Sequence, residues 1–126
     1  MSKIERIATD KAPAAIGPYS QGIAAGELVF TSGQIPVNPQ TKEVPEGIQA
    51  QTKQALENLK AVLEGAGSGL DKVIKVLVFI VDMSEFKAVN EIYAQYFKEP
   101  YPARSCVAVR ELPLGVRVEI EAVAVK

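Results

Sequence analysis

Two strand-like runs decide the fold: YPARSCVAVR at residues 101–110 and VRVEIEAVAV at residues 116–125. Between them stands ELPLG at residues 111–115, which contains a proline and a glycine, the residues typical of turns. Because Val and Ala dominate both runs and the connection is short, we expect the two runs to form a hairpin.

The side chains of a strand alternate between its two faces, so each residue of this hairpin can be assigned to a face. In the first run Arg104 and Cys106 share a face. In the second run the apolar residues are even-numbered, which leaves Glu119 and Glu121 on the opposite face. If both apolar sets face the same core, one side of the hairpin collects a cation, a thiol and two carboxylates.

Composition sets the outer limits of the function. The chain has 126 residues, of which 48% are hydrophobic, and this predicts a single domain over residues 1–126. It has one cysteine and no histidine, which excludes an intrachain disulfide, a cysteine-cluster zinc site and a nucleophile–histidine pair. A formal net charge of −1 disfavours nucleic-acid binding. With neither a membrane-length apolar run nor a secretion-signal pattern, we expect a cytoplasmic protein without a membrane partner.

Apolar periodicity, proline and glycine place the remaining elements. The predicted order is a weak strand at residues 4–8, a hairpin at 20–24 and 28–32, a helix at 46–66, a strand at 73–81, a helix through 86–97, and the C-terminal hairpin. Asp82 or Ser84 is expected to cap the second helix. The run at 73–81 is almost continuously apolar, which predicts a central strand buried on both faces.

This order predicts an α+β fold in which two helices cover one face of the sheet. The strands supply Val, Ala and Ile to both faces, so the uncovered face would be a larger apolar patch than monomers usually expose. We therefore expect an oligomer built on that face.

Arg104 and Glu119 are the leading candidates for chemistry. The guanidinium of Arg104 stays ionised and matches a carboxylate with two parallel hydrogen bonds, although an internal ion pair with Glu119 or Glu121 fits the pattern equally well. Glu119 can act as a general base or hold a water against an electrophilic carbon, or it can be a solvated strand residue. Glu121 has the same two interpretations, with a weaker functional case.

Five further residues are candidates for a binding site. Cys106 is expected to be a small buried apolar residue rather than a nucleophile, and its backbone is of more interest than its sulfur. Tyr19 can line a pocket and donate a hydrogen bond from its hydroxyl, or its ring can simply pack beneath the loop that carries it. Ser32 and Gly33 end a strand, where glycine permits close approach of a ligand or a simple bend. Asn90 is either a buried polar contact or a half-exposed helix residue.

Several separated blocks resemble the reactive-intermediate deaminase A family, also called the RidA or YjgF family. They are AAIGPYSQ at residues 14–21, TSGQIP at 31–36, DMSEF at 82–86 with VN at 89–90, PARSCV at 102–107, and VEIEA at 118–122. The blocks stand in the family's order and cover nearly the whole chain, which makes the resemblance specific.

The resemblance implies a chorismate-mutase-like fold: a mixed six-stranded sheet with two helices on one face, assembled as a homotrimer with pockets at the subunit interfaces. It also implies an enzyme without a metal or organic cofactor. The expected substrates are 2-imino acids such as 2-iminopropanoate and 2-iminobutanoate, or their enamine tautomers, released by pyridoxal-phosphate-dependent dehydratases. The products would be 2-oxo acids and ammonia.

Residue roles follow from the same resemblance. Arg104 would bind the substrate carboxylate and Glu119 would handle the water. Tyr19, coming from the neighbouring subunit, would close the pocket. The substrate-binding set would comprise Tyr19, Ser32, Gly33, Asn90 and Cys106.

Two other functions remain open from the sequence. One is a regulatory protein that binds a small carboxylate at Arg104 without chemistry. The other is the endoribonuclease or translation inhibitor associated with this family, which the charge balance and the lack of histidine disfavour.

Overall fold

The structure, a computed structural model, describes residues 3–126. The strands within that range are β1 Ile4–Ile7, β2 Gly22–Ala25, β3 Leu28–Thr31, β4 Val73–Ile80, β5 Ala103–Ala108 and β6 Val118–Val125. The helices are α1 Ile48–Gly65 and α2 Phe86–Tyr93. Neither helix has the length and apolar character of a membrane-spanning segment. The predicted order of strands and helices is confirmed.

The six strands form one sheet in the order β1-β2-β3-β6-β4-β5. Only β4 and β5 pair in parallel, and the other neighbours are antiparallel, so the sheet is mixed. The predicted hairpin of β2 and β3 is present, and its turn places Gly26 in the left-handed region, with φ of 61°.

The predicted C-terminal hairpin is wrong. Strand β4 lies between β5 and β6, pairing in parallel with β5 and antiparallel with β6. The physical reason lies in the connections: α2 carries the chain from β4 across to β5, which is how parallel neighbours are joined. A single turn of 3₁₀ helix, Pro113–Gly115, then lies in the shorter link from β5 to β6.

The core lies between α1 and one face of the sheet. Leu56, Leu59 and Leu63 recur on one side of α1 and are fully buried. They face the even-numbered residues of β4 and β6, such as Val78 and Ile120. Burying a leucine side chain contributes about 1.5–3 kcal/mol, so this contact is a main source of stability.

The opposite face of the sheet is uncovered in the protomer. Leu77 and Phe79 point to it and are only half-buried, so the prediction that β4 is buried on both faces is wrong for a single chain. Phe30 and Val107 on the same face are exposed. We call this uncovered, largely apolar face of the sheet the open face.

Helix α2 ends at Tyr93, whereas the sequence predicted a helix through Phe97.

Candidate active site

Strand β5 places Arg104 on the helix side of the sheet. Its register pairs Arg104 with Val76, a buried residue whose side chain faces the helices. The guanidinium Nη1 donates a hydrogen bond to Asn90 Oδ1 at 2.7 Å. Its Cζ lies 4.6 Å from the ring centroid of Tyr93 and 5.4 Å from that of Phe86. Helix α2 therefore supplies the hydrogen-bond partner and the two aromatic rings beside this cation.

No other group in the described part of the chain accepts from the Arg104 guanidinium, so its remaining donors can serve a ligand. Within residues 3–126 the ion pairs all involve Arg117, so Arg104 has no carboxylate partner, and the interpretation of an ion pair with Glu119 or Glu121 is wrong. A cavity of about 420 Å³ opens beside Arg104 and is also lined by Asn90. A half-buried cation without a counter-charge at a cavity is an anion-binding arrangement.

Two neighbours complete this part of the site. Cys106 lies two residues along the same face, and burial raises the pKa of its thiol although Arg104 opposes that rise. The sulfur is therefore protonated at neutral pH, which agrees with the expectation that it is not a nucleophile. Burial likewise raises the pKa of Tyr93, whose hydroxyl is buried without a hydrogen-bond partner among the described residues.

Strand β6 places Glu119 on the open face, against Gly33. Gln34 and Ile120 exchange backbone hydrogen bonds of 2.8 and 3.1 Å, which brings Gly33 alongside Glu119. A Cβ atom at Gly33 would overlap Glu119 Oε2, so glycine is needed for this close approach.

The Glu119 carboxylate is chemically available. Burial, and secondarily the charge of Glu121, raises the pKa of Glu119 above its ordinary value. No hydrogen bond or ion pair from the described part of the chain engages its oxygens. A carboxylate with a raised pKa is a stronger base than an ordinary one, which suits it to accept a proton from water.

Ser32 and Tyr19 belong to the same part of the site as Glu119. The Ser32 hydroxyl donates to the carbonyl of Ser20 at 2.6 Å, and this bond ties the Tyr19 loop to the end of β3. Tyr19 is half-exposed and lines a second cavity, of about 230 Å³, together with Gly33.

The candidate residues thus form two separate groups. The Arg half-site comprises Asn90, Arg104 and Cys106, on the helix side of the sheet. The Glu half-site comprises Tyr19, Ser32, Gly33 and Glu119, on the open face and its adjoining loops.

The prediction that Arg104 and Cys106 share a side with Glu119 and Glu121 is therefore wrong for one protomer. It assumed direct pairing of the two strands, whereas β4 separates them. Arg104 is level with Val76 on β4 and Glu119 is level with Phe79. The two residues are two strand spacings apart across the sheet and three residues apart along the strands, so their backbones are about 14 Å apart. Their side chains point to opposite faces, which separates the two groups further.

Two residues that hold the loops and helix of the site in place, Gln21 and Arg117, were not identified from the sequence. The buried Gln21 amide accepts from Thr9 N at 2.7 Å and donates to Pro13 O at 2.7 Å, which clamps the loop that carries Tyr19. Arg117 forms an ion pair of 2.7 Å with Glu85, directly before α2. The only signal for Gln21 was its place at the end of the AAIGPYSQ block, and Arg117 had none beyond its charge.

Comparison with known proteins agrees with this architecture. The family model described as endoribonuclease L-PSP matches residues 9–126. The chain is 51% identical over 123 residues to the 2-iminobutanoate/2-iminopropanoate deaminase of Escherichia coli K12, covering 95% of this chain and 96% of that protein. The crystal structure of E. coli TdcF with bound serine superposes with a TM-score of 0.93 at 51% identity, over 97% of this chain and 98% of the other.

A second solved structure, RidA from the Antarctic bacterium Psychrobacter sp. PAMC 21119, gives a TM-score of 0.94 at 46% identity, over 97% and 99% of the two chains. The predicted α+β fold, a six-stranded mixed sheet with two helices, is confirmed and is the fold of this class of protein. The chain belongs to the RidA/YjgF family of reactive-intermediate deaminases.

Proposed function

We propose that the protein hydrolyses 2-imino acids and their enamine tautomers to 2-oxo acids and ammonia. The observation that carries this proposal is the pair of half-sites: a cation without a counter-charge at Arg104 and a free carboxylate of raised pKa at Glu119. The Arg104 cation can bind the substrate carboxylate, and the Glu119 carboxylate can hold and deprotonate a water. The name of the 51% identical E. coli deaminase describes the same reaction class.

We propose further that each active site is completed by two subunits. A 2-imino acid is only a few ångströms long, whereas the half-sites of one protomer are about 14 Å apart at the backbone and on opposite faces. A substrate can touch both only if the Arg half-site of one subunit meets the Glu half-site of another. Because the two half-sites lie on opposite faces of the sheet, we propose a head-to-tail (heterologous) interface whose rotation closes into a ring.

A homotrimer is the ring that we propose. Its support is the apolar open face, which includes the exposed Phe30 and Val107 and would be covered by neighbouring copies. The outer edge of β5 is also unpaired within the described chain, so its backbone groups near Cys106 are available to a neighbour or a ligand. Tyr19 belongs to the Glu half-site, so it would come from a different subunit than Arg104.

The mechanism follows from the two half-sites. Arg104, oriented by Asn90, binds the substrate carboxylate and fixes the imine carbon. Glu119 takes a proton from water as the water oxygen bonds to that carbon, and the imine nitrogen becomes an amine. Glu119 then returns the proton to the nitrogen and takes the proton of the new hydroxyl group as the C–N bond breaks, so that the 2-oxo acid and ammonia leave and the last proton goes to the ammonia or to solvent. The protonated imine is already a strong electrophile, so these steps require no cofactor.

A second candidate is binding of a small amino acid or oxo acid without chemistry. The serine bound in E. coli TdcF favours it, since that ligand also carries a carboxylate and a nitrogen on one carbon. In that case the Arg half-site would act as a sensor and Glu119 would contact the ligand nitrogen.

The deciding experiment generates 2-iminopropanoate in solution and follows pyruvate and ammonia with and without the protein. We expect release faster than spontaneous hydrolysis, and its loss in Arg104→Ala while the oligomer persists. Binding of a 2-oxo acid without acceleration would support the sensor, and near-wild-type rates in Arg104→Ala would contradict the proposed role of Arg104.

A further inference from the structure

A small apolar cavity adjoins the Glu half-site. It encloses about 230 Å³ between the Tyr19 loop, the segment after β3 and the link that leads into β6. Its apolar lining includes Pro13, Ile16, Ile35, Val37, Pro39 and Leu114. Gly33 forms part of the wall and is also the residue that Glu119 lies against, so the cavity and the carboxylate share a boundary.

Leu114 presents its side chain at this cavity at a conformational cost. Its φ is 58°, in the left-handed region that branched and bulky residues rarely adopt, and 75% of the residue is exposed. Ile16, on the opposing loop, is 93% exposed. Two large apolar side chains are therefore held in water, one of them on strained backbone, at the mouth of an apolar cavity.

Building on the proposed function, we propose that this cavity binds the side chain of 2-imino acids larger than 2-iminobutanoate. The preferred class would carry apolar chains of about four carbons, branched or linear. The volume corresponds to about eight water molecules in the liquid. It lies below the ~300 Å³ at which pockets for whole drug-sized ligands begin, so it suits a side chain whose reacting carbon stays outside, near Glu119.

The lining explains the expected selectivity. Among residues 3–126, Lys42 is the cationic residue that lines the wall, and its Nζ already donates to the carbonyl of Pro39 at 3.0 Å. Gln21 and Gln34 also line the cavity, but their amide nitrogens already donate to backbone carbonyls. Apart from the Tyr19 hydroxyl, a polar substrate side chain would therefore find few partners to replace the water it loses. An apolar side chain would instead bury Leu114 and Ile16 together with itself.

The test compares imines made in place by an amino-acid oxidase from leucine and from alanine. Leu114→Ala should lower kcat/KM for the leucine-derived imine by about tenfold, because the loss of an apolar contact worth one or two methylene groups has an effect of that size. The alanine-derived imine should change by less than about twofold. Ile4→Ala is the matched control, because Ile4 is a 73% exposed apolar residue on β1, outside both half-sites.

Leu114→Gly separates specificity from folding. Glycine adopts a positive φ without strain, so this variant should retain or raise the melting temperature while losing the same preference. An equal loss for both imines would overturn the proposal. So would an unchanged ratio accompanied by a smaller assembly, which would mean that a neighbouring copy fills the cavity. If the wild type accelerates neither imine, it is the proposed function that fails.

Discussion

The Arg104 guanidinium and the Glu119 carboxylate lie on opposite faces of one sheet, with β4 between their strands. Each is held by a different part of the chain: Arg104 by helix α2 through Asn90, and Glu119 by the segment at Gly33. Neither group neutralises the other, so both retain the chemistry that a charged substrate and a water need. Within one protomer the architecture keeps the two groups apart.

Two substitutions at Asn90 test how Arg104 is held. Asn90→Ala removes the 2.7 Å hydrogen bond and should raise KM by about tenfold, the scale of a hydrogen bond to a charged group. Asn90→Asp should raise KM more, by about a hundredfold, because a carboxylate would pair with Arg104 and repel the substrate carboxylate. Steady-state kinetics on 2-iminopropanoate give both values. The reverse ranking would contradict the role of Arg104 as the carboxylate site.

Gly33→Ala tests the contact behind Glu119. The new methyl group would occupy the place of Glu119 Oε2, so the carboxylate must move. We expect kcat to fall by at least about tenfold, since a misplacement of one ångström can cost more than that. Gly65→Ala is the control: its new methyl group would make only ordinary contacts, the nearest at 3.5 Å from Thr9. Equal effects of the two substitutions would show that the close approach at Gly33 is irrelevant to catalysis.

Glu119→Gln should trade activity for stability. Burial raises the pKa of Glu119, so the folded protein holds this proton more tightly than the unfolded chain does. Stability is therefore lost as pH rises from the ordinary pKa of glutamate through the raised one. Glutamine cannot ionise, so the variant should melt at a higher temperature than wild type at pH 7. The difference in melting temperature should vanish below about pH 4, where residue 119 of the wild type is protonated in both the folded and the unfolded state. Thermal melts across this range provide the measurement, and a lower melting temperature for the variant at pH 7 would contradict it.

Glu121→Gln should change the pH profile of the reaction without abolishing it. Glu121 is the second cause of the raised pKa of Glu119, after burial. Removing its charge should move the acidic limb of the kcat/KM profile to lower pH, while burial continues to hold the pKa of Glu119 above its ordinary value. A limb that stays in place would mean that the profile reports a group other than Glu119.

The sequence predicted the elements well because their signals are local. The helical spacing of Leu56, Leu59 and Leu63 and the apolar run from Val73 to Ile80 needed no tertiary information. Strand neighbours are different. Alternation places Arg104 and Glu119 on faces of their own strands, but the relation between those faces depends on which strand lies beside which. The strand–helix–strand pattern of β4, α2 and β5 was the available sign of a parallel pair, and the shorter Pro-Gly link obscured it.

The residues that hold the site together were the hardest to foresee. Gln21 acts through backbone carbonyls twelve and eight residues away, at Thr9 and Pro13, and those contacts leave no periodic pattern. The pairing of Asn90 with Arg104 also depends on α2 folding back over β5. Glycine at a strand end is a local signal, from which Gly33 was predicted to permit close approach of a ligand or a simple bend. The group that lies against Gly33 in the structure is the Glu119 side chain, and a ligand contact there stays a prediction.

The central claim is that one active site takes Arg104 from one subunit and Glu119 from another, and mixing two inactive variants tests it most directly. Arg104→Ala and Glu119→Gln subunits are unfolded, combined in equal amounts and refolded together, with each variant refolded alone as the control. In a ring with random assembly, a site is intact when its Arg104 comes from the second variant and its Glu119 from the first. The account predicts that the mixture recovers about a quarter of wild-type activity on 2-iminopropanoate. A mixture no more active than its parents, in assemblies shown to be hybrid, would contradict it.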